Sequence, residues 1–197
     1  MNRKKMSWSS WAVALFMTVG TIVYVYDVRD GTVQTTVVTW IVLIIVSLLN
    51  LCVAILKDRR NVFSLNIMII VGVIGQSVSL IAVLIAGAST DIAPMDIAVL
   101  IGSFAGFSIY IWRRDYAVIS VVAINVAIVI GFIPLWINLL NGGVTESLLS
   151  WACIAVAASF AFQKPFHDKK YVALVYPFRA IITSGTVVGL TLWSMYF

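Results

Sequence analysis

Long apolar runs, separated by short polar segments, occupy almost the whole chain. Seven of these runs approach the roughly 20 residues that a helix needs to cross the hydrocarbon core of a bilayer. Their interiors are rich in Val, Ile, Leu and Ala without strict alternation, which predicts helices rather than the strands of a membrane barrel. The predicted spans are residues 8–26, 36–56, 62–86, 94–112, 116–139, 147–162 and 171–195.

The composition excludes an ordinary soluble domain. Of the 197 residues, 62% are apolar and only 11% are charged, against about 25% charged in a typical soluble domain. So few polar side chains cannot cover a soluble core, and the same balance excludes a disordered chain and a secreted disulfide scaffold. We therefore predict an all-α polytopic membrane protein with the lipid bilayer as a partner.

Basic residues alternate with the spans and predict the orientation. Eleven of the 13 Lys and Arg residues fall on one side of the predicted membrane. By the positive-inside rule the N-terminus is then cytoplasmic and the C-terminus outside, in a multi-pass protein of the inner (plasma) membrane. This placement argues against nucleic acid as a partner. The eleven are Arg3, Lys4, Lys5, Lys57, Arg59, Arg60, Arg113, Arg114, Lys164, Lys169 and Lys170. The other side carries Arg29, Asp27, Asp30, Asp91, Asp96 and Glu146.

The sequence contains an internal repeat at an offset of 111 residues. Residues 20–40 align with residues 131–151 without a gap, and five of the 21 positions are identical. The identical pairs are Gly20/Gly131, Ile22/Ile133, Gly31/Gly142, Val33/Val144 and Trp40/Trp151. Matches in an Asp-Gly or Asn-Gly turn, followed by Ser or Thr at a helix start, have a local physical reason beyond shared apolarity.

This repeat predicts how the spans are grouped. Spans one to three and five to seven form the two copies, and span four restores the direction of the chain between them, so the copies are parallel. The expected fold is two parallel three-helix bundles joined by a linker helix, a 3+1+3 arrangement. The predicted units are residues 1–90, 91–114 and 115–197, with any substrate site between the bundles near the midplane.

The arrangement resembles the SWEET/PQ-loop superfamily, small membrane proteins that include sugar and vitamin transporters and a sorting-signal receptor. The resemblance rests on Pro134 in the fifth span, the short loop after it, and the helix start Ser147–Trp151. It implies that Pro134 is a hinge that lets its helix bend during gating. The Pro-Gln pair of that family is absent from both repeats, since the second has Pro134-Leu135 and the first has Val23-Tyr24.

Arg179 is the one ionisable residue well inside a predicted span. It lies eight residues beyond Tyr171, or about 12 Å into the helix, which approaches the midplane. A central Arg is costly, so we expect it to have a partner or a wet cavity and to bind the carboxylate or phosphate of a solute. The alternative is snorkelling to the cytoplasmic surface, where Pro177 would act as a hinge that loosens the first turns.

Five further residues are predicted to bind the solute. Asn50, Gln76 and Asn125 are polar residues inside spans, where the alternative role is an interhelical hydrogen bond. Trp40 and Trp151 lie near the start of their helices at matched positions. The interfacial aromatic belt is the default place for such residues, and their repetition adds stacking on a ligand or gating as the functional alternative.

The leading hypothesis for function is passive transport. The sequence lacks a catalytic constellation and a metal-ligand cluster, and we expect neither an enzyme nor a cofactor. With no carboxylate clearly mid-span, facilitated diffusion of a small polar solute by alternating access is favoured over proton coupling. The alternative is a non-transporting membrane receptor or interaction protein on the same fold. The oligomeric state, including a homo-oligomer, stays open.

Overall fold

The computed structural model describes residues 7–33, 35–57, 66–142 and 146–196. Within these ranges the chain is helical, and seven helices are long and apolar enough to cross a membrane, which confirms the all-α, seven-span prediction. A short 3₁₀ turn, Arg114–Tyr116, connects the fourth helix to the fifth. The helices are α1 Trp8–Arg29, α2 Val37–Lys57, α3 Ile67–Ile85, α4 Pro94–Trp112, α5 Ala117–Leu140, α6 Leu148–His167 and α7 Tyr171–Tyr196.

The helix bounds agree with the predicted spans to within three residues except at the start of α3, which begins at Ile67 and not at residue 62, and at the end of α6. This helix continues to His167, five residues beyond the expected end at residue 162. Gln163 and Lys164 are polar but compatible with a helix, so the change in polarity there marks the edge of the apolar run and not the end of the helix. The first residues of the predicted third span, 62–65, lie outside the described residues.

The two copies of the repeat have matching local structure at their turns. Helix α1 ends at Arg29 and α5 at Leu140, while α2 begins at Val37 and α6 at Leu148, so both pairs are 111 residues apart. Just beyond the first pair of ends, Gly31 and Gly142 adopt positive φ angles of 73° and 65°. That conformation ends a helix and strains any residue with a Cβ atom, which explains the identity at this position.

The helices that follow these turns also begin with the same kind of hydrogen bond. The Thr36 hydroxyl accepts a hydrogen bond from the Thr39 amide at 3.2 Å. At the matched positions, the Ser147 hydroxyl accepts from the Ser150 amide at 3.3 Å. Each side chain satisfies a backbone donor that the helix leaves unpaired. The alignment therefore corresponds to the same hydrogen bonds, not only to similar residue types.

Helix packing places α3 against both α1 and α2, and α7 against both α5 and α6. Helix α1 also packs along α6, and α4 packs mainly on α5 with a smaller contact to α2. Close approach of α1 and α6 depends on Gly20, where an added Cβ atom would lie 3.1 Å from the Cys153 Cβ and 3.2 Å from the Ser150 carbonyl oxygen. Small residues at a crossing allow helices in a membrane to pack closely.

The outer surface of the helices is apolar, while polar side chains are buried inside. Large hydrophobic residues are exposed on all seven helices, among them Ile85 at 82% and Trp112 at 86%. Asn50, Asn125, Ser103 and Thr183 are almost fully buried. This inversion of the usual soluble pattern is what a lipid environment requires. The orientation of the molecule in that membrane stays a prediction.

Candidate functional site

A cavity of ≈ 90 Å³ lies among six of the seven helices, all but α4. Its walls include Arg179, Gln76, Trp40 and Trp151, four of the six residues predicted to bind solute. The other lining residues are Met17, Thr21, Tyr24, Leu43, Met68, Gly72, Gly75, Ser79, Phe132, Ser150, Ile154, Tyr176 and Ala180. A volume of this size has room for several water molecules or a compact solute.

Matched positions of the two repeats meet in this cavity. Four pairs of lining residues are 111 residues apart: Thr21/Phe132, Trp40/Trp151, Leu43/Ile154 and Met68/Arg179. The last two pairs lie beyond the aligned segments 20–40 and 131–151. The shared offset thus extends from the turns into the third helix of each repeat.

Arg179 is half-buried and faces the cavity rather than lipid. Its Nε atom donates a hydrogen bond to Asn125 Oδ1 at 3.3 Å, and its guanidinium lies 4.6 Å from the centre of the Tyr176 ring. Among the described residues, no carboxylate forms an ion pair with it. The cation is therefore held by two neutral groups, of which the ring contributes a cation–π attraction.

Asn50 and Asn125 are buried between helices and are not among the residues that line the cavity. Asn125 Nδ2 donates to Asn50 Oδ1 at 2.9 Å and to the Val121 carbonyl at 2.7 Å. Asn50 Nδ2 donates to the Val46 carbonyl at 3.2 Å. With its amino group engaged in this way, Asn125 presents its oxygen to Arg179. The pair connects α2, α5 and α7, and direct binding of solute by either residue stays a prediction.

One polar atom in the walls of the cavity, the acceptor Gln76 Oε1, has no hydrogen-bond partner among the described residues. A buried polar group without a partner costs free energy. Such atoms at a cavity wall are positions where a solute or water gains a hydrogen bond.

The two tryptophans pack edge-on against different aromatic residues. Trp40 contacts Tyr24 with ring centroids 5.0 Å apart, and Trp151 contacts Phe132 at 5.6 Å. Trp151 Nε1 also donates a hydrogen bond to Glu146 Oε2 at 2.9 Å. The indole of Trp40 lies beside the Tyr24 hydroxyl instead, so the matched residues differ in their polar neighbours. Their role in ligand stacking or gating stays a prediction.

Glu146 is a residue that the sequence analysis placed only among the loop acids. Burial raises the pKa of its carboxyl above the ordinary value, and the hydrogen bond from Trp151 offsets part of that rise. The same side chain lines a second cavity of ≈ 280 Å³, together with Asp96, Asn138 and Thr39. Its position directly before the helix-opening Ser147 was the available indication that it sits near the buried Trp151.

The second cavity adjoins the first. Leu43 and Phe132 line both of them, so the two spaces are separated by these apolar side chains. The second cavity lies at the acidic end of the molecule, where Asp96 accepts hydrogen bonds from the Ala93 amide at 3.1 Å and from Thr39 at 3.4 Å. Together the cavities trace a route from that end toward Arg179.

The two predicted hinge prolines both lie inside continuous helices. Pro134 is within α5 and lines the second cavity, while Pro177 is buried within α7, two residues before Arg179. A proline inside a helix removes one backbone hydrogen bond and weakens the helix locally. Both residues are therefore placed beside the cavities, and bending at either one stays a prediction.

No protein-family model matches this chain, and neither a curated protein nor a solved structure matches it. The described residues also contain no group of three or more His, Cys, Asp or Glu side chains that would hold a metal ion. The function therefore has to be argued from the geometry of the cavities.

Proposed function

We propose that the protein is a membrane transporter of the facilitator type, which moves a small polar solute by alternating access. The moving parts are two three-helix units, residues 1–90 and 115–197, with residues 91–114 as the linker. The packing of α3 against α1 and α2, and of α7 against α5 and α6, supports this division. So does the matching geometry of the two turns.

One observation carries the proposal: polar groups from both repeats line one cavity among the helices of a protein whose outer surface is apolar. Arg179, Gln76 and Trp40 reach it from three helices, and a second cavity adjoins it through Leu43 and Phe132. Polar and charged groups inside a membrane are costly and usually line a solute path. Passage then requires the wall formed by Leu43 and Phe132 to open.

Flux measurements in liposomes test the proposal. The purified protein is reconstituted, and entry of labelled sugars, nucleosides and small acids is compared with protein-free vesicles. A facilitator equilibrates at least one solute without an ion gradient and shows counterflow when the vesicles are preloaded with it. If a solute binds but none crosses faster than in protein-free vesicles, the protein is a receptor and the proposal is wrong.

A pair of variants on one helix makes the test specific to the route. Leu43→Trp fills the wall shared by the two cavities and is expected to abolish flux. Leu48→Trp lies on the same helix at a position that is 43% exposed on the apolar surface, and it is expected to leave flux unchanged. Equal effects of the two variants would contradict the assigned route.

A further inference from the structure

The chemistry of the central cavity specifies a class of solute more narrowly than polarity alone. Arg179 faces it without an acidic partner among the described residues, and none of the described residues that line the cavity is acidic. A charge that has left water without a counterion is strongly destabilising. The solute itself can supply the missing negative charge.

The hydrogen bonds around Arg179 determine which of its donors are available. Nε is engaged by Asn125, whose orientation is fixed by Asn50 and the Val121 carbonyl. The guanidinium is planar, so fixing Nε and resting one face near Tyr176 orients the two terminal nitrogens as well. Two parallel donors match the two oxygens of a carboxylate. Asn125 and Asn50 therefore act as positioning residues for an anion site.

An unpaired acceptor in the cavity wall indicates which other group the solute carries. Gln76 Oε1 is an acceptor without a donor among the described residues. A hydroxyl group supplies that donor without adding a charge. An ammonium group fits less well because it needs a negative partner, and none of the described residues that line the cavity is acidic. The volume of ≈ 90 Å³ suits a compact solute.

We infer that the cavity binds a small monocarboxylate that carries a hydroxyl group, with the carboxylate on Arg179 and the hydroxyl at Gln76. This inference rests on the proposed function for the idea that the solute crosses the membrane. Binding itself does not depend on transport.

Calorimetric titration of the protein in lipid nanodiscs tests the inference with five matched probes. Lactate is the hydroxy acid, and propionate is the same acid without the hydroxyl. Lactamide has no charge, alanine replaces the hydroxyl by an ammonium group, and glycerol has hydroxyls alone. We expect lactate to bind at least about tenfold more tightly than each of the others, as loss of one charge-assisted or one buried hydrogen bond implies. Equal affinity for lactate and glycerol, or for lactate and propionate, would overturn the assignment.

Variants connect the selectivity to the named groups. Arg179→Gln is expected to lose lactate binding by more than about tenfold, and Arg179→Lys to lose part of it because the planar fork is gone. Gln76→Leu should bring lactate down to the affinity of propionate while leaving propionate unchanged. Arg114→Gln removes the same charge at the end of the bundle, away from the cavity, and should bind as the wild type does. Unchanged lactate affinity in a folded Arg179→Lys and Arg179→Gln pair would refute the anion site.

Flux and binding together separate this inference from the proposed function. Lactate binding with the expected selectivity but without flux leaves the inference standing and removes the transporter. Flux of neutral solutes, without preference for the hydroxy acid, supports the transporter and overturns the inference.

Discussion

At the scale of single residues, two buried asparagines hold the guanidinium of Arg179 in place. Asn50 and Asn125 hydrogen-bond to each other at 2.9 Å, and both side chains are almost fully buried. Asn125 Oδ1 accepts a hydrogen bond from Arg179 Nε at 3.3 Å. In the proposed anion site the pair therefore positions the guanidinium, while direct binding of solute by either asparagine stays a prediction.

A double-mutant cycle measures this pair. Asn50→Leu, Asn125→Leu and the double variant are compared by unfolding midpoint and by carboxylate affinity. We expect a coupling of about 0.6 kcal/mol in stability, the average for such bonds in membranes. Anion affinity should fall further in Asn125→Leu than in Asn50→Leu, because only Asn125 contacts Arg179. Equal losses of affinity would show that the position of Arg179 does not depend on this contact.

The carboxyl of Glu146 predicts a pH dependence of stability. Burial raises its pKa in the folded protein above 4.5, the ordinary value for a glutamate side chain, which we take for the unfolded chain. In the window above 4.5 the folded state binds more protons, so the free energy of unfolding falls as pH rises through the folded pKa. Glu146→Gln removes the titration. Its unfolding midpoint, followed from about pH 4 to 8, should decline less than that of the wild type, and parallel curves would contradict the assignment.

At the scale of helices, the apolar runs predicted well where the seven helices lie. In lipid a single spanning segment can satisfy its backbone hydrogen bonds only as a helix. The matched turns were also predictable, since positive φ at Gly31 and Gly142 and the hydroxyls of Thr36 and Ser147 act locally. The sequence did not indicate which side chains of different helices would contact each other. The contacts of Asn50 with Asn125, and of Glu146 with Trp151, depend on rotation and depth of separate helices, which local patterns do not contain.

The crossing of α1 and α6 gives a prediction at this scale. In Gly20→Val, the new side chain would meet Cys153 and the Ser150 carbonyl at 3.1 and 3.2 Å already at its Cβ atom. Overpacking of this kind costs about 1–3 kcal/mol, measured as a lower thermal midpoint in detergent. Gly185→Val is the matched control, since an added Cβ atom there has no described atom within 4 Å. A loss as large in the control would mean that helix propensity, not packing, is responsible.

For the whole molecule, charge divides the two ends. Helix ends at one side carry Lys57, Arg113, Lys164 and Lys170, while Glu146 and Asp96 lie at the other. By the positive-inside rule the basic end faces the cytoplasm. Labelling of residues at the two ends in intact cells measures which end faces the cytoplasm.

Cysteine labelling tests that orientation. In a Cys52→Ser background, which removes the exposed native thiol, cysteine is introduced at Gly142 or at Arg114. An impermeant maleimide added to intact cells is expected to label the Gly142→Cys variant alone, and both variants after the membrane is opened. Labelling of only the Arg114→Cys variant in intact cells would reverse the orientation.

The pairing of Met68 with Arg179 across the two repeats has a consequence for how such a chain can arise. Two identical half-length chains related by two-fold symmetry would place a guanidinium at both positions, and two like charges in one small cavity repel strongly. Joining the halves in one polypeptide lets each copy change alone, so one keeps the cation while the other carries a neutral thioether. The anion site proposed above thus depends on fusion of the two halves, and the matched positions differ in charge at Arg179, the only cation among the described residues that line the cavity.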